Sequence, residues 1–390
     1  MPHIIHYEEL TWPEVAALPR DLPMVLPLGE GYDPEAIAQA VGVESYCVLP
    51  ALPYGWGGSL APVGEDMLRQ AVAGIFNAPT EEGFTRLFVV HAGGETVGMN
   101  HIQQISLPRS AADPNPPAAT PQRVILIPCG HTEQHGYHLP MNTDTVIIGA
   151  IAAGVVERIP DEAETLPTLP YGVSMHRSAF AGTFHMGGRT YEDFMLAVIG
   201  ALVERGADRF YLMSGHGGNS SFLHNIVKYA GERYRGIFAA TTWLHTSGHL
   251  GALALPLYRD SKIGGMGHAG ELETSYLLHL RPELCKMERV VDEAVFISTP
   301  NYYMDWIEGG ALVANPPWED DTITGSYGAG SLATAEKGAA WLEVAVREKI
   351  DHVREIHEQQ NRRLAKRAYM AENGITSDSV LKSQPWYSDL

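Results

Sequence analysis

The chain has little cysteine, little positive charge and no long apolar run, and each shortage narrows what it can be. Cys47, Cys129 and Cys285 are its only cysteines in 390 residues. An odd number, far apart, argues against a disulfide framework and for a reducing, cytoplasmic setting. Lys and Arg number 27 against 46 Asp and Glu, a formal net charge of -19. That excess repels phosphate backbones and anionic lipid, so the expected partners include no nucleic acid and no membrane. The longest nearly apolar stretch, Thr145 to Val156, contains two glycines and at about a dozen residues is too short to span a bilayer. The opening "MPHIIHYEEL" has no basic segment followed by an apolar one, so no export signal is expected.

What is present fits a folded protein: 45% apolar and 19% charged residues, in a length suited to two domains or one large domain with an extension. Five prolines between residues 105 and 121 read as a linker. After it, "RVILIP" (123–128) reads as a strand and 145–159 as a helix. Residues 163–172 are extended, and 190–214 give a helix then the strand "RFYLMS", with Thr190 as the expected cap. A further helix covers 220–234. This alternation predicts an α/β fold, a mostly parallel sheet with helices on both faces.

Residues 20–104 echo that order in shortened form. "MVLPLGEGYD" parallels "VILIPCGHTE", "VLPALPYGWGGS" parallels "TLPTLPYGVSMHRS", and "RLFVVHAGG" parallels "RFYLMSGHGG". Three ordered matches predict a degenerate half-copy, here residues 1–104, a smaller α/β extension. A linker (105–121), a catalytic domain (122–370) and a tail (371–390) follow.

The chemistry concentrates in "GHTEQHGYHLPMNTD" (130–144). Glu133 and His135, two apart in an extended segment, point to one side, and Asp144 opens the next helix. Carboxylate with imidazole is the donor set of Zn, Mn or Fe(II), and a carboxylate can bridge two ions. His216, in "GHGGN", leaves the end of a second strand, where open parallel sheets place their ligands. In "GHAGELETSYLLHL" (267–280), Glu273 falls on the apolar helix face and Glu271 on the other, so Glu273 is the preferred inward carboxylate, either as a ligand or behind one. His268 is a candidate proton donor or acceptor. His176 and His185, flanking "RSAFAGTF", either contact substrate or are solvated loop residues, and His131 and His138 are expected behind the ligands or at the surface. Cys129 with a nearby His raises a rival thiol mechanism.

"PCGHTEQHGYHLPMNTD", "LPYGVSMHRSAFAGTFH", "SGHGGN", "HAGELETS" and "GSYGAGSLATAEKG" occur in an order that resembles the creatininase (creatinine amidohydrolase) family from about residue 120 to 350, and "EELTWPEVAALPRDLPMVLPLG" is similar to that family's usual start. The resemblance implies an α/β fold, a dinuclear metal centre and hydrolysis of a C–N bond in small cyclic amides, formamides or peptides. It implies metal ligands at Glu133, His135, Asp144 (the bridge) and His216, a catalytic histidine at His268, and a subunit ring, hence a homo-oligomer. Two positions depart from it. Gly218 stands where creatininase has a carboxylate ligand, which leaves Glu273 or Glu271 as the fifth ligand, and Gly264 stands where it has a tryptophan. Trp243 aligns approximately with a second pocket tryptophan, and His176 and Glu271 complete the expected substrate contacts.

The expected function is a metal-dependent amidohydrolase. Two divalent ions per subunit (Zn, Mn or Fe) activate water, and His268 or Glu273 delivers a proton to the leaving nitrogen of a small-molecule substrate. Alternatives are a ring-opening hydrolase of cyclic ketones and a non-catalytic metal-binding assembly protein. Ala339, Leu342, Val346, Ile350 and Val353 predict an amphipathic helix from 335 to about 368. The segment 376–390 shows no periodicity, and Trp386 and Tyr387 are either loose or an anchor on another subunit.

Overall fold

The computed structural model describes residues 1–94, 96–99, 101–110, 122–174, 179–302, 305–307 and 309–384. Most of the expected linker, His176, Trp386 and Tyr387 lie outside these residues.

Two parallel sheets organise the molecule. The first contains β1 (His3–His6), β2 (Met24–Pro27), β3 (Ser45–Val48), β4 (Leu87–His91) and β5 (Ile102–Ser106) in the order β1-β3-β2-β4-β5. The second contains β6 (Val124–Cys129), β7 (Ala163–Thr165), β8 (Arg209–Ser214) and β9 (Phe238–Thr241) in the order β7-β6-β8-β9. Every pairing between named strands is parallel. The strands β2, β4, β6 and β8 are buried at every residue, which is why they read as continuous apolar runs rather than alternating ones.

Along β6 the side chains part by period two. Ile125 and Ile127 join the same cluster as Met24 and Leu26 of β2, whereas Val124 and Leu126 face a second cluster. The shared cluster lies between the sheets and is filled from α3 (Glu65–Glu81), α5 (Gly188–Glu204) and α6 (Ser220–Arg233). Behind the first sheet packs α2 (Pro34–Val41). Behind the second pack α4 (Thr143–Arg158), α8 (Glu271–Leu280) and α9 (Ala335–Glu372). Helices thus cover both faces of each sheet, and one core joins the two halves.

The two sheets repeat each other's wiring. In the first, Gly29 N donates to Leu52 O (2.9 Å) and Leu52 N to Pro27 O (2.9 Å). In the second, Gly130 N donates to Leu169 O (3.0 Å) and Leu169 N to Pro128 O (3.0 Å).

Three local expectations change. The first unit runs past 104, because β5 ends at Ser106 and Ser110 N still donates to Gly31 O (2.8 Å). Helix α5 is preceded by Gly187 at φ 84, with no side-chain cap, and Thr190 sits inside it. In the tail, Thr376 and Ser379 form a capping box that opens a short helix, Ser377–Lys382. The long helix α9 starts as read, with Thr334 accepting from Lys337 N, and buries Trp341, Ala345, Val346, Val353 and Ile356. No helix among the described residues is long and apolar enough to cross a membrane.

Candidate metal centre

The carboxyl ends of β6 and β8 deliver Glu133, His135 and His216 to one buried place, and the first turn of α4 adds Asp144. Three histidines at the centre each have one ring nitrogen against a backbone carbonyl. His135 Nδ1 lies 3.0 Å from Glu133 O, His216 Nε2 3.0 Å from Val173 O and His268 Nε2 2.6 Å from Gln134 O. A carbonyl only accepts, so these nitrogens carry the hydrogen and the other nitrogen of each ring faces inward.

What the inward atoms face is carboxylate. Asp144 divides its oxygens, Oδ1 standing 3.1 Å from His135 Nε2 and Oδ2 3.1 Å from His216 Nδ1. Glu133 Oε1 lies 3.0 Å from His216 Nδ1 and 3.6 Å from His268 Nδ1. Glu273 Oε2 lies 3.7 Å from His135 Nε2 and 3.9 Å from His268 Nδ1. Three overlapping donor groups result, His131–Glu133–His216, Glu133–His135–His268 and His135–Asp144–Glu273; in each, the donor atoms lie within 4.8 Å of one another and every residue is buried.

Three carboxylates converging out of water require compensating positive charge. In the protein alone His135 supplies part of it: burial acts against its protonation, but Asp144 and Glu273 outweigh that and lift it to about 9. Burial likewise pushes Glu273 upward, and the His135 charge together with the Ala269 N–H (2.6 Å) more than reverses this, leaving it below the usual carboxylate range. The donor set, its shared Asp144 and the fixed tautomers fit divalent cations of the Zn and Mn class.

The backbone builds this arrangement at some cost. Ala269 has φ 52, the positive value found at no other non-glycine among the described residues, and that turn aims its N–H at Glu273. The segments 265–270 and 327–329 pack backbone on backbone, with Tyr327 N donating to His268 O (2.8 Å) and Ala329 N to Gly265 O (3.1 Å). Here glycine is required: a Cβ on Gly270 would stand 2.6 Å from Gly265 O and 2.8 Å from Gly267 O.

Other expected residues take different places. Glu271 does not face the centre: its oxygens accept from Asp260 N (2.9 Å), Ser261 N (2.8 Å) and Lys337 Nζ (2.5 Å), so it ties a loop and α9 to α8 instead of contacting substrate. His185 is half-buried, and its Nδ1 accepts from Ser174 N (3.3 Å). His138 is buried beside Thr274 Oγ1 (3.0 Å). Cys129 is fully buried, and that burial pushes its thiol up to about 12, which argues against a thiol mechanism. At Gly264 no tryptophan fits, because a Cβ would lie 2.4 Å from Ala294 O. The aromatic ring against His268 comes from Trp318 instead, edge-on at 5.1 Å.

Sequence reasoning passed over several residues near the centre. Ser174 Oγ donates to Glu133 Oε2 (2.9 Å). His245, held at about 4 by burial with Lys349 adding to the effect and Glu273 opposing it, packs edge-on to Tyr276 and Trp306. Trp243, 44% exposed, lies over Gly217 beside His216. Trp243 and Trp306 line a cavity of about 300 Å³ with Thr246 and Ser247. Ser174, His245 and Trp306 carried no signal in the sequence, since a lone Ser, His or Trp in a loop has no spacing to betray it, whereas Trp243 is the pocket tryptophan that the resemblance implies.

A buried cluster of imidazoles and carboxylates at the carboxyl ends of parallel strands is a hydrolase-type centre, and the chain belongs to the creatininase family: the family model described as creatinine amidohydrolase matches residues 115–353. Among curated proteins, it is 31% identical over 247 residues to a creatinine amidohydrolase of Pseudomonas putida, covering 60% of this chain and 89% of that one. It is 34% identical over 173 residues to a mycofactocin precursor peptide peptidase of Mycobacterium ulcerans, covering 43% of this chain and 62% of that relative's length. A 3-dehydro-scyllo-inosose hydrolase of Thermotoga maritima is 26% identical over 238 residues, covering 56% and 73%. Among solved structures, the Mn form of creatininase aligns at TM-score 0.50 and 29% identity over 61% of this chain and 92% of that one. A creatininase mutant complexed with creatine aligns at 0.50 and 30%, over 61% and 93%. The chain is therefore a hydrolase of this family.

Proposed function

We propose that the protein is a metal-dependent amidohydrolase that cleaves a C–N bond of a small, cyclic amide. The observation that carries this is Asp144, whose two oxygens each meet a different histidine at 3.1 Å within a set of three carboxylates. Glu133, His135, Asp144, His216 and Glu273 would hold two divalent ions in this reading. The bound ions would supply Lewis acidity and a water deprotonated near neutral pH.

The remaining work falls to the chain. The backbone carbonyls of residues 133, 134 and 173 fix the three ring tautomers, so no proton need move before substrate arrives. His268 has Nε2 committed to Gln134 O, so Nδ1 is the atom that would take a proton from the attacking water and pass it to the leaving nitrogen. Trp318 holds that ring from its edge. The cavity of about 300 Å³ lined by Trp243 and Trp306 would suit a compact substrate. Amide hydrolysis is also the chemistry that the names of the Pseudomonas and Mycobacterium relatives share.

Metal analysis of the purified protein tests the reading. Two equivalents of Zn, Mn or Fe are expected, with turnover of a lactam, cyclic ureide or formamide that chelator abolishes and metal restores. Asp144→Ala should lose both ions and all turnover, and full metal content in that variant would contradict the proposal. A substrate opened without release of an amine would assign the chain to C–C hydrolysis instead. We propose further that the chain self-associates through exposed apolar side chains such as Leu253 and Leu257; sedimentation as a 42.5 kDa monomer would exclude this.

A further inference from the structure

We propose that His131 is a further donor to this centre, acting with Glu133 and His216 in the coordination place that residue 218 cannot fill. The inference rests on the metal-centre reading above.

Gly218 sets the problem. A Cβ there would lie 2.4 Å from His216 Nε2 and 2.3 Å from Val173 O, the two atoms of the hydrogen bond that fixes the His216 tautomer. No carboxylate can reach inward from that position without breaking the bond. Glu273 serves the His135 side of the cluster, at 3.7 Å, so the His216 side needs a donor from elsewhere.

His131 is placed to be it. The residue is fully buried and follows β6 by two positions, with its backbone held on both flanks. Gly130 N donates to Leu169 O (3.0 Å) and Thr145 Oγ1 donates to His131 O (3.1 Å). Its ring stacks on that of His216, with centroids 4.4 Å apart and planes at 28°. One of its nitrogens, a Glu133 oxygen and a His216 nitrogen all lie within 4.8 Å of one another, the separation of atoms that share an ion. Two imidazoles with carboxylates form a set suited to a borderline divalent cation. The His216 side then has His131, Glu133 and Asp144 as co-donors, against His135, Asp144 and Glu273 on the other side.

A ring that stacks and a ring that coordinates are separated by His131→Phe, which keeps the stack and removes the donor, with His131→Ala as the second variant. Zn content per chain and chelator competition are measured on the purified full-length protein, and X-ray absorption of the Zn-loaded protein counts imidazoles. The expected result is that both variants bind one of the two ions at least about tenfold more weakly, keep the other at wild-type affinity, and lose one imidazole from the Zn shell. Wild-type affinity and imidazole count in His131→Phe overturn the inference and make His131 a packing ring, while the centre itself stands. A wild-type chain that binds no Zn, Mn or Fe overturns the centre and this inference together.

Discussion

At the scale of the residue, the centre is made by small, directional contacts around a few acids. Ser174 is one: its Oγ donates to Glu133 Oε2 at 2.9 Å in a buried setting. Ser174→Ala should weaken metal binding by about 10- to 100-fold with the fold intact. Chelator competition measures this, and an unchanged affinity would show that Glu133 needs no such support. Gly270 is another, because its missing side chain lets two backbones meet. Gly270→Ala should cost about 1–3 kcal/mol in urea unfolding; undiminished stability would mean that the 265–270 and 327–329 segments shift apart freely.

At the scale of the element, α9 couples the centre's periphery to the fold through two adjacent buried charges. Glu348 accepts from Leu250 N (2.7 Å) and Gly251 N (2.9 Å) at the start of the helix His249–Tyr258. Lys349 Nζ donates to Ser247 O (3.0 Å). Burial pulls the Lys349 ammonium from 10.5 down to about 8, with Glu348 resisting. Between those values the unfolded chain binds more protons than the native one, so this group's penalty is full below pH 8 and fades as pH rises toward 10.5. Lys349→Met should therefore raise stability at pH 7 by up to about 3 kcal/mol, less the lost hydrogen bond. It should also flatten the rise between pH 8 and 10.5. Thermal unfolding across that range decides, and an unaltered slope would refute the assignment.

The elements also show how much of the protein was legible in its sequence. Helix α8 runs from Glu271 to Leu280, as its periodicity predicts, and the strands β6 and β8 lie within a residue of their expected places. The choice of Glu273 over Glu271 as the inward acid followed from that helical spacing alone. The strand order β3-β2-β4-β5 in the first sheet matches β7-β6-β8-β9 in the second. Thr190 misled because a capping signature is local, whereas the start of α5 is set by Gly187 and the turn before it.

At the scale of the whole molecule, the two sheets share one core. Met24, Leu26, Ile125, Ile127 and Phe194 lie in a single buried cluster. Tyr171 OH donates to Pro50 O (2.5 Å) across it, and the backbone at Gly74 in α3 approaches Met186. Residues 7–12 reach the centre's surroundings directly: Tyr7 OH donates to Gly182 O (3.0 Å), Met141 N to Leu10 O (2.9 Å) and Trp12 Nε1 to Thr324 O (2.9 Å). The full chain should unfold in one cooperative transition, seen alike by tryptophan fluorescence and circular dichroism. A fragment of residues 122–384 should aggregate, because it exposes half of that core. Two separate transitions, or a soluble and cooperative fragment, would show that the halves are independent.

The sequence by itself determined the elements, the parallel class of sheet and the acids and histidines of the first motif, because periodicity and short spacing act within a few residues of chain. Only the tertiary structure decided which distant groups meet them. His268 and Ser174 reach the cluster, and Glu271 takes Lys337 as its partner. Those outcomes depend on where carbonyls, helix ends and excluded volume fall after packing, and no local pattern encodes them.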